Sequence, residues 1–397
     1  MTDFFAPAGR GVQHSNLRAA NRRAVLTTIA LTSSGISNAD VSRRTGLAPQ
    51  TASAIVSELE AEGLIHRGNV LRGRRGQPAT PLFLNPQAGY AIGCEISWRH
   101  MAITLLDLVS NQIDHVITHY NAPDPATVID DAAAVIAKML EKLDPSQRSR
   151  VQGIGLTIPG RIGRFGGETI SPAAHRRGWA ELNAAHALET ATGLPTMQFV
   201  AGHAGSWAEL LNHPNPRPSD FVYLFINTDI EIGFIARPSQ FDGPALQSAN
   251  MSAILTAGLT DRRYSAELAS LAALQRRLAR VGITPPDGCT RNWHWDDWEE
   301  HVAPWIEEAG LAMAEIVVNT AVAVETQQVI IDGPLPRPIL DRLVAATANG
   351  IDTLSGPATT RPRVTAGTRG ADGMALGAGQ LALIRRMFAR QPSDIVG

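Results

Sequence analysis

The spacing of hydrophobic positions changes along the chain, and each change marks an element. In "NRRAVLTTIALTSSG", Val25, Leu26, Ile29 and Ala30 share one helical face, and Gly35 closes the segment. "ISNADVSRRTG" predicts a second, short helix with Ser37 as its N-cap, Val41 facing inward and Gly46 as the terminating turn. "LAPQTASAIVSELEAEGLI" predicts a third helix. Pro49 suits its first turn, Ile55, Val56 and Leu59 form its inner face, and Gly63 ends it. Two helices about a tight turn at Thr45-Gly46-Leu47, behind a supporting helix, make the helix-turn-helix pattern. "LIHRG" and "ATPLFL" then read as two short strands, and "LRGRRGQPAT" connects them, which turns the pattern into a winged helix.

Past residue 88 the period alternates between two and 3.6. "GYAIGCEISWRHMAITLLDL" predicts strands Ala91–Ile96 and Met101–Asp107. "DPATVIDDAAAVIAKMLEKL" predicts a helix, and "VQGIGLTIPGRIG" a buried strand running into a Pro-Gly turn. "FVYLFINTDIEIGFIA" gives a strand pair around Asn227-Thr228-Asp229. "GLAMAEIVVNTAVAVETQQVIIDGPL" is a long helix, a strand and a Gly-Pro turn, and "GADGMALGAGQLALIRRMF" is a glycine-rich start to a final helix. Strand pairs alternating with helices indicate α/β layers.

Charge sharpens the division. The 397 residues carry a formal charge of only −2, but residues 1–85 hold ten arginines, no lysine and five acids, a charge of +5, which leaves −7 on the remainder. A basic head on an acidic body points to a polyanion as the partner of the head. Glycines in the wing let the chain approach a duplex, and Arg72, Arg74 and Arg75 supply charge that narrow grooves attract. Gln50, Thr51, Ser53 and Ala54 occupy the first turn and a half of the third helix, where base edges are reached; the same residues also suit plain N-terminal capping. Arg43 and Arg44 suit phosphates better than bases.

Cys94 and Cys289 are the only cysteines, too few for a disulfide framework or a cysteine-rich metal cluster, and they fit a reducing cytoplasm. "MTDFFAPAGRGVQHSN" does not read as a signal peptide, and no apolar run approaches the ~20 residues of a membrane span.

The order of these segments resembles the ROK family of repressors, open reading frames and kinases. The residues that carry the resemblance are "NRRAVL", "GLAPQTASAIVSELEAEGLI", "GRRGQPA" followed by "PLFLNPQAGYAIGCEIS", then "GIGLTIPG", "FVAGHAGSWAEL", "IIDGPL" and "ADGMALGAGQLAL". The resemblance implies an α/β chain: an N-terminal winged helix-turn-helix over 1–85, then a two-lobed, actin-like, sugar-kinase-like body over 88–397. The lobes would span roughly 88–202 and 203–370, and the C-terminal helix would return to the first.

The chemistry of a kinase is missing from that frame. Family kinases cradle the triphosphate in two glycine-rich turns, whose backbone N–H groups neutralise it. Here the first turn reads "CEISWRHM", with bulky Trp98, Arg99 and His100, and the second reads "NTDIEIGFI", where Asp229 and Glu231 replace glycines and only Gly233 remains. The family's base is an Asp; the matching "AGHAGS" offers Gly202, His203 and Gly205. The segment matching the family's sugar-contacting Glu-x-Gly-His is Asn250-Met251-Ser252-Ala253, and the cysteine cluster that would hold zinc is absent from "LTDRRYSAELASL". "NWHWDDWEEH" holds His294, Asp296, Asp297 and His301 and reads as an amphipathic segment rather than a metal site.

By the resemblance, an interlobe cleft lies near Pro159-Gly160, Ser171–Trp179, His203 and Gln247–Asn250. His175, Arg177, His203, Gln247 and Asn250 are its candidate ligand contacts, with Trp179 available to stack on a sugar face and Arg177 to receive an acid group. The expectation is a cytoplasmic repressor, a homodimer or homotetramer. It binds operator DNA, answers to a carbohydrate-like effector, and uses no metal, no cofactor and no membrane. Two other readings stay open: a sugar kinase with an accessory DNA-binding head, and a constitutive DNA-binding protein without effector.

Overall fold

The computed structural model of the chain describes residues 14–69, 80–159, 172–214, 216–235, 263–286, 288–324, 326–356 and 361–388. The chain divides into two compact units, one of residues 1–89 with 384–397 and one of residues 90–383.

The first unit opens with α1 (His14–Ala30), α2 (Asn38–Thr45) and α3 (Pro49–Ala61) and closes with a hairpin of β1 (Ile65–Arg67) and β2 (Leu82–Leu84). Local chemistry fixes its corners. The Ser37 hydroxyl accepts from the Asp40 N–H at 3.1 Å and caps α2. Gly46 adopts φ 68°, the left-handed conformation that ends a helix, and Pro49 opens α3. Val25, Leu26, Ile29, Val41, Ile55 and Leu59 are buried between the three helices. β1 and β2 pair antiparallel from Ile65–Leu84 to Arg67–Leu82, and Ile36 bridges to Leu82 on the free side of β2. Gly35, at φ 81°, lies so close to the Phe83 ring that a Cβ would come within 2.5 Å of it.

The second unit contains two sheets. β3 (Tyr90–Ile96), β4 (His100–Asp107) and β5 (Gln112–His119) form an antiparallel meander. After α4 (Val128–Glu141) and α5 (Pro145–Arg148), β6 (Val151–Ile158) joins β3 in parallel. α6 (Ala173–Glu181) and α7 (Ala184–Thr192) lead to β7 (Thr196–Val200), parallel to β6, giving the order β5-β4-β3-β6-β7. Parallel neighbours need crossovers, and the helices before β6 and β7 supply them.

α8 (Ala201–Asn212) connects to the second sheet. It comprises β8 (Phe221–Ile226) and β9 (Ile230–Ile235), then, beyond α9 (Ser265–Ala269), α10 (Leu271–Ala279) and α11 (Glu299–Val324), β10 (Gln328–Asp332). α12 (Arg337–Leu354) crosses to β11 (Arg363–Ala366), and the order is β11-β10-β8-β9. Each sheet has its own apolar core: Ile92, Ile103, Ile136 and Leu156 in the first, Leu224, Trp305, Val317 and Ile331 in the second.

α13 (Gly373–Met387) explains the glycine run that opens it. A Cβ on Gly377 would sit 1.8 Å from the Ala204 carbonyl oxygen, and one on Gly93 of β3 1.8 Å from that of Ala375. α13 therefore lies on β3 and α8 at backbone contact, which only glycine permits.

Candidate functional site

The head presents one polar helix face. Gln50, Thr51, Ser53 and Ala54 are all exposed, while Ala52, Ile55 and Val56 on the opposite side are buried. Pro49 at the first position starts α3 without spending any of these side chains on a cap: Ala48 is the N-cap and makes no side-chain bond. The Asn38 amide donates to Ser53 Oγ at 3.0 Å, linking the two helices beside the exposed face. Arg43 is exposed and pairs with Asp40 at 2.8 Å; Arg44, also exposed, donates to Thr32 Oγ1 at 3.2 Å. Arg18 and Arg22 pair with Glu58 and Glu62 of α3, and Arg67 with Glu60 at 2.9 Å, so part of the basic excess holds the unit together. Arg72, Arg74 and Arg75 lie outside the described residues.

In the body, the β3–β4 and β8–β9 turns, which the resemblance aligns with kinase phosphate turns, face each other, and their polar groups are largely spent internally. At the β3–β4 turn the Ser97 N–H donates to the His100 carbonyl at 2.8 Å. The Tyr120 hydroxyl donates to the carbonyls of Ser97 and His100, and Trp98 is buried in the first core. At the β8–β9 turn the Asn227 N–H donates to the Asp229 carbonyl at 2.8 Å, the Thr228 N–H to Asn227 Oδ1 at 2.9 Å and the Ile230 N–H to Asp229 Oδ1 at 2.8 Å. Glu95, Asp229 and Glu231 all line the narrow crevice between the turns. Turn amides bound to their own side chains, beside three carboxylates, are the reverse of an anion cradle.

Glycines that invite a chemical reading are packing residues. A Cβ on Gly233 would meet the Gly202 carbonyl at 2.0 Å, and one on Gly202 the Ile232 carbonyl at 2.2 Å, so α8 and β9 touch backbone to backbone. His203, between them in sequence, sits edge-on to Trp207 with ring centroids 6.2 Å apart.

His175, Arg177 and Trp179 all lie on α6. His175 is half-buried, 4.0 Å from Asp124, and Arg177 is exposed. Trp179 is the correction: it is not open for stacking. It is 4% exposed within the core of the first sheet, with its indole N–H donating to the Pro123 carbonyl at 2.8 Å, because a helix residue four positions from half-buried His175 turns inward while Arg177 turns out. Gln247 and Asn250 lie outside the described residues. Trp293, Trp295 and Trp298 of the tryptophan-rich segment join the second core.

A cavity of about 600 Å³ opens between the ends of β4 and β5, the β8–β9 turn, α10 and the segments 283–286 and 288–293. None of His175, Arg177, Trp179 and His203 lines it. It draws on segments too distant in sequence for any spacing rule to join; the one sequence signal was the bulky Arg99-His100 pair at the first turn.

Comparisons with known proteins agree with this architecture. Residues 19–66 match a family model described as winged helix-turn-helix DNA-binding. A xylose repressor of Bacillus spizizenii is 25% identical over 231 residues, 58% of this chain and 59% of that protein. The DNA-binding transcriptional repressor Mlc of Escherichia coli is 24% identical over 226 residues, 55% of this chain and 52% of that protein. The chain thus spans between half and two thirds of the length of these curated relatives. Among solved structures, a ROK family transcriptional regulator, a homologue of the Escherichia coli Mlc protein, superposes with a TM-score of 0.69 over 96% of this chain and 98% of its own at 18% identity. A ROK family glucokinase from Streptomyces griseus, in complex with glucose and AMPPNP, matches 74% of this chain and 99% of its own with a TM-score of 0.57 at 18% identity. The chain shares the fold of the ROK family regulator it superposes on: a winged helix-turn-helix followed by an α/β, sugar-kinase-like body of two sheets.

Proposed function

We propose that this protein is a transcriptional repressor that binds operator DNA through its winged helix and senses a sugar or sugar-derived effector in a body that transfers no phosphoryl group. The exposed face of α3 at Gln50, Thr51 and Ser53, mounted on a capped helix-turn-helix, carries the reading. Base edges are read there, Arg43 and Arg44 meet phosphates, and the wing arginines 72, 74 and 75 add charge. The names of its relatives support a sugar as effector. His175, Arg177, His203, Gln247 and Asn250 remain the candidate contacts. The domain boundaries proposed are 1–85 for the head and 88–397 for the body.

The protein acts in the cytoplasm as a homodimer or homotetramer, and its operator has two related half-sites. Effector binding shifts DNA affinity by the difference in its affinity for the two states of the body. Among the described residues no helix is long and apolar enough to cross a membrane.

The test is selection of bound DNA fragments with and without candidate sugars, followed by binding isotherms over a range of salt. Replacing Arg72, Arg74 and Arg75 by Ala should weaken binding to every sequence and flatten the salt dependence. An unchanged salt slope rejects the wing. The rival reading, a sugar kinase with an accessory head, requires turnover in a coupled nucleotide assay that is lost in His203→Ala.

A further inference from the structure

The cavity beside α10 has two unlike walls. One is apolar: Leu271, Ala272, Ile283, Pro285, Pro286 and Trp293. Trp293 is held in place, its indole N–H donating to the Pro286 carbonyl at 3.2 Å and its ring stacked on Trp295 at 5.4 Å between centroids. The other wall is basic. Arg99 and His100 come from the β3–β4 turn, His119 from the end of β5 and Arg276 from α10. Main-chain carbonyls orient the two guanidinium groups, that of Asn121 for Arg99 and that of Glu267 for Arg276, the latter at 3.1 Å. His100 stands 3.7 Å from Glu95, so Arg99, His119 and Arg276 are the groups that face a ligand. No Asp or Glu lines the cavity among the described residues.

Charge of one sign on one wall and an apolar platform on the other select a ligand with the matching division. A neutral sugar would leave the two guanidinium groups without a counter-charge. A polyphosphate would have to extend past Asn227, which borders both the cavity and the neighbouring crevice, and would meet Glu95, Asp229 and Glu231 there. A single acidic group on an apolar body meets neither objection. The volume, about 600 Å³, is that of a small-molecule site.

We propose that this cavity binds a small organic anion, its carboxylate, sulfonate or phosphate held by Arg99, His119 and Arg276 and its ring-bearing body laid against Trp293 and α10. His175, Arg177 and His203 do not line this cavity, and the proposal does not depend on them.

The probe is anilinonaphthalene sulfonate, an aromatic anion that fluoresces when it leaves water, titrated into the full-length protein beside its uncharged parent phenylnaphthylamine. Saturable enhancement with one site per chain is expected, at least about tenfold tighter for the sulfonate than for the neutral compound. The double variant Arg99→Gln/Arg276→Gln should lose at least that factor for the sulfonate only. Ala279→Trp, which narrows the cavity from an exposed helix position, should weaken both probes and serves where the double variant does not fold. Equal binding of the two probes, binding untouched by Ala279→Trp, or no saturable site overturns the proposal. None of these readouts involves DNA, so the repressor reading stands or falls separately.

Discussion

The Asn227 side chain, in the turn between β8 and β9, donates from Nδ2 to Ser97 Oγ at 3.0 Å, in the turn between β3 and β4. Both residues are buried. The same asparagine accepts the Thr228 N–H at its Oδ1, and its carbonyl accepts the Leu271 N–H at 2.8 Å, where α10 begins. One side chain thus joins the two sheets of the body. Ser97→Ala and Asn227→Ala should each cost about 1 kcal/mol of unfolding free energy, with Asn227→Ala the larger because it also strands the Thr228 amide. A double-mutant cycle by chemical denaturation checks the bond: strictly additive effects mean that it contributes nothing.

The seat of α13 on its neighbours predicts a sharp contrast between glycines. Gly377→Ala should destabilise the body by about 2 kcal/mol or more, because a Cβ placed 1.8 Å from the Ala204 carbonyl forces backbone to move. A Cβ on Gly356 meets no heavy atom of the described residues within 4 Å, and Gly356→Ala should change stability by less than about 0.5 kcal/mol. Comparable melting temperatures for the two variants would contradict the close packing.

Glu209, on α8, is buried and accepts from the Thr368 N–H at 3.1 Å and from its hydroxyl. Burial raises its carboxyl above the usual range, outweighing the Thr368 amide that stabilises the charged form. A raised acid holds its proton more tightly in the folded state than in the unfolded one. Its contribution is therefore most favourable at low pH and is lost as pH rises from the ordinary carboxylate range through the raised folded value. Glu209→Gln keeps an acceptor for Thr368 and removes the ionisation. Its stability relative to the parent should increase between about pH 5 and pH 7. Thermal melts of both proteins at the two pH values decide it; a constant difference means Glu209 ionises equally in both states.

On the head, two substitutions separate reading from gripping. Gln50→Ala should relax preference at one or two base positions, costing about 1–3 kcal/mol on the preferred site and little elsewhere. Arg43→Ala should weaken all sequences alike and lower the salt slope by about 1. Binding selections on variant and parent distinguish the patterns, and uniform weakening by Gln50→Ala rejects direct readout by that residue.

Much of this protein is legible residue by residue. Ser37, Gly46 and Pro49 mark the ends of the helix-turn-helix through their own backbone and side-chain preferences, and they act on neighbours no more than a turn away. The strands from Tyr90 and His100 announce themselves by continuous apolar runs, because both faces are buried. β5 does not, since "QIDHVITH" lies at a sheet edge and is mostly exposed. What the tertiary structure alone decided are the relations between distant segments. Trp179 turned out to be core because α6 presents that face to the first sheet's interior. Gly202, in the segment matched to the family's base, and Gly233, the one glycine left in the second turn, turned out to form a helix-strand contact. The cavity that joins Arg99, His119, Arg276 and Trp293 exists only once two sheets and α10 are assembled. Periodicity and capping depend on interactions within a turn or a strand pair, so one sequence suffices to see them. Burial, backbone contact and the shape of a cavity depend on which faces meet across the fold, and that is set by the packing of the whole chain.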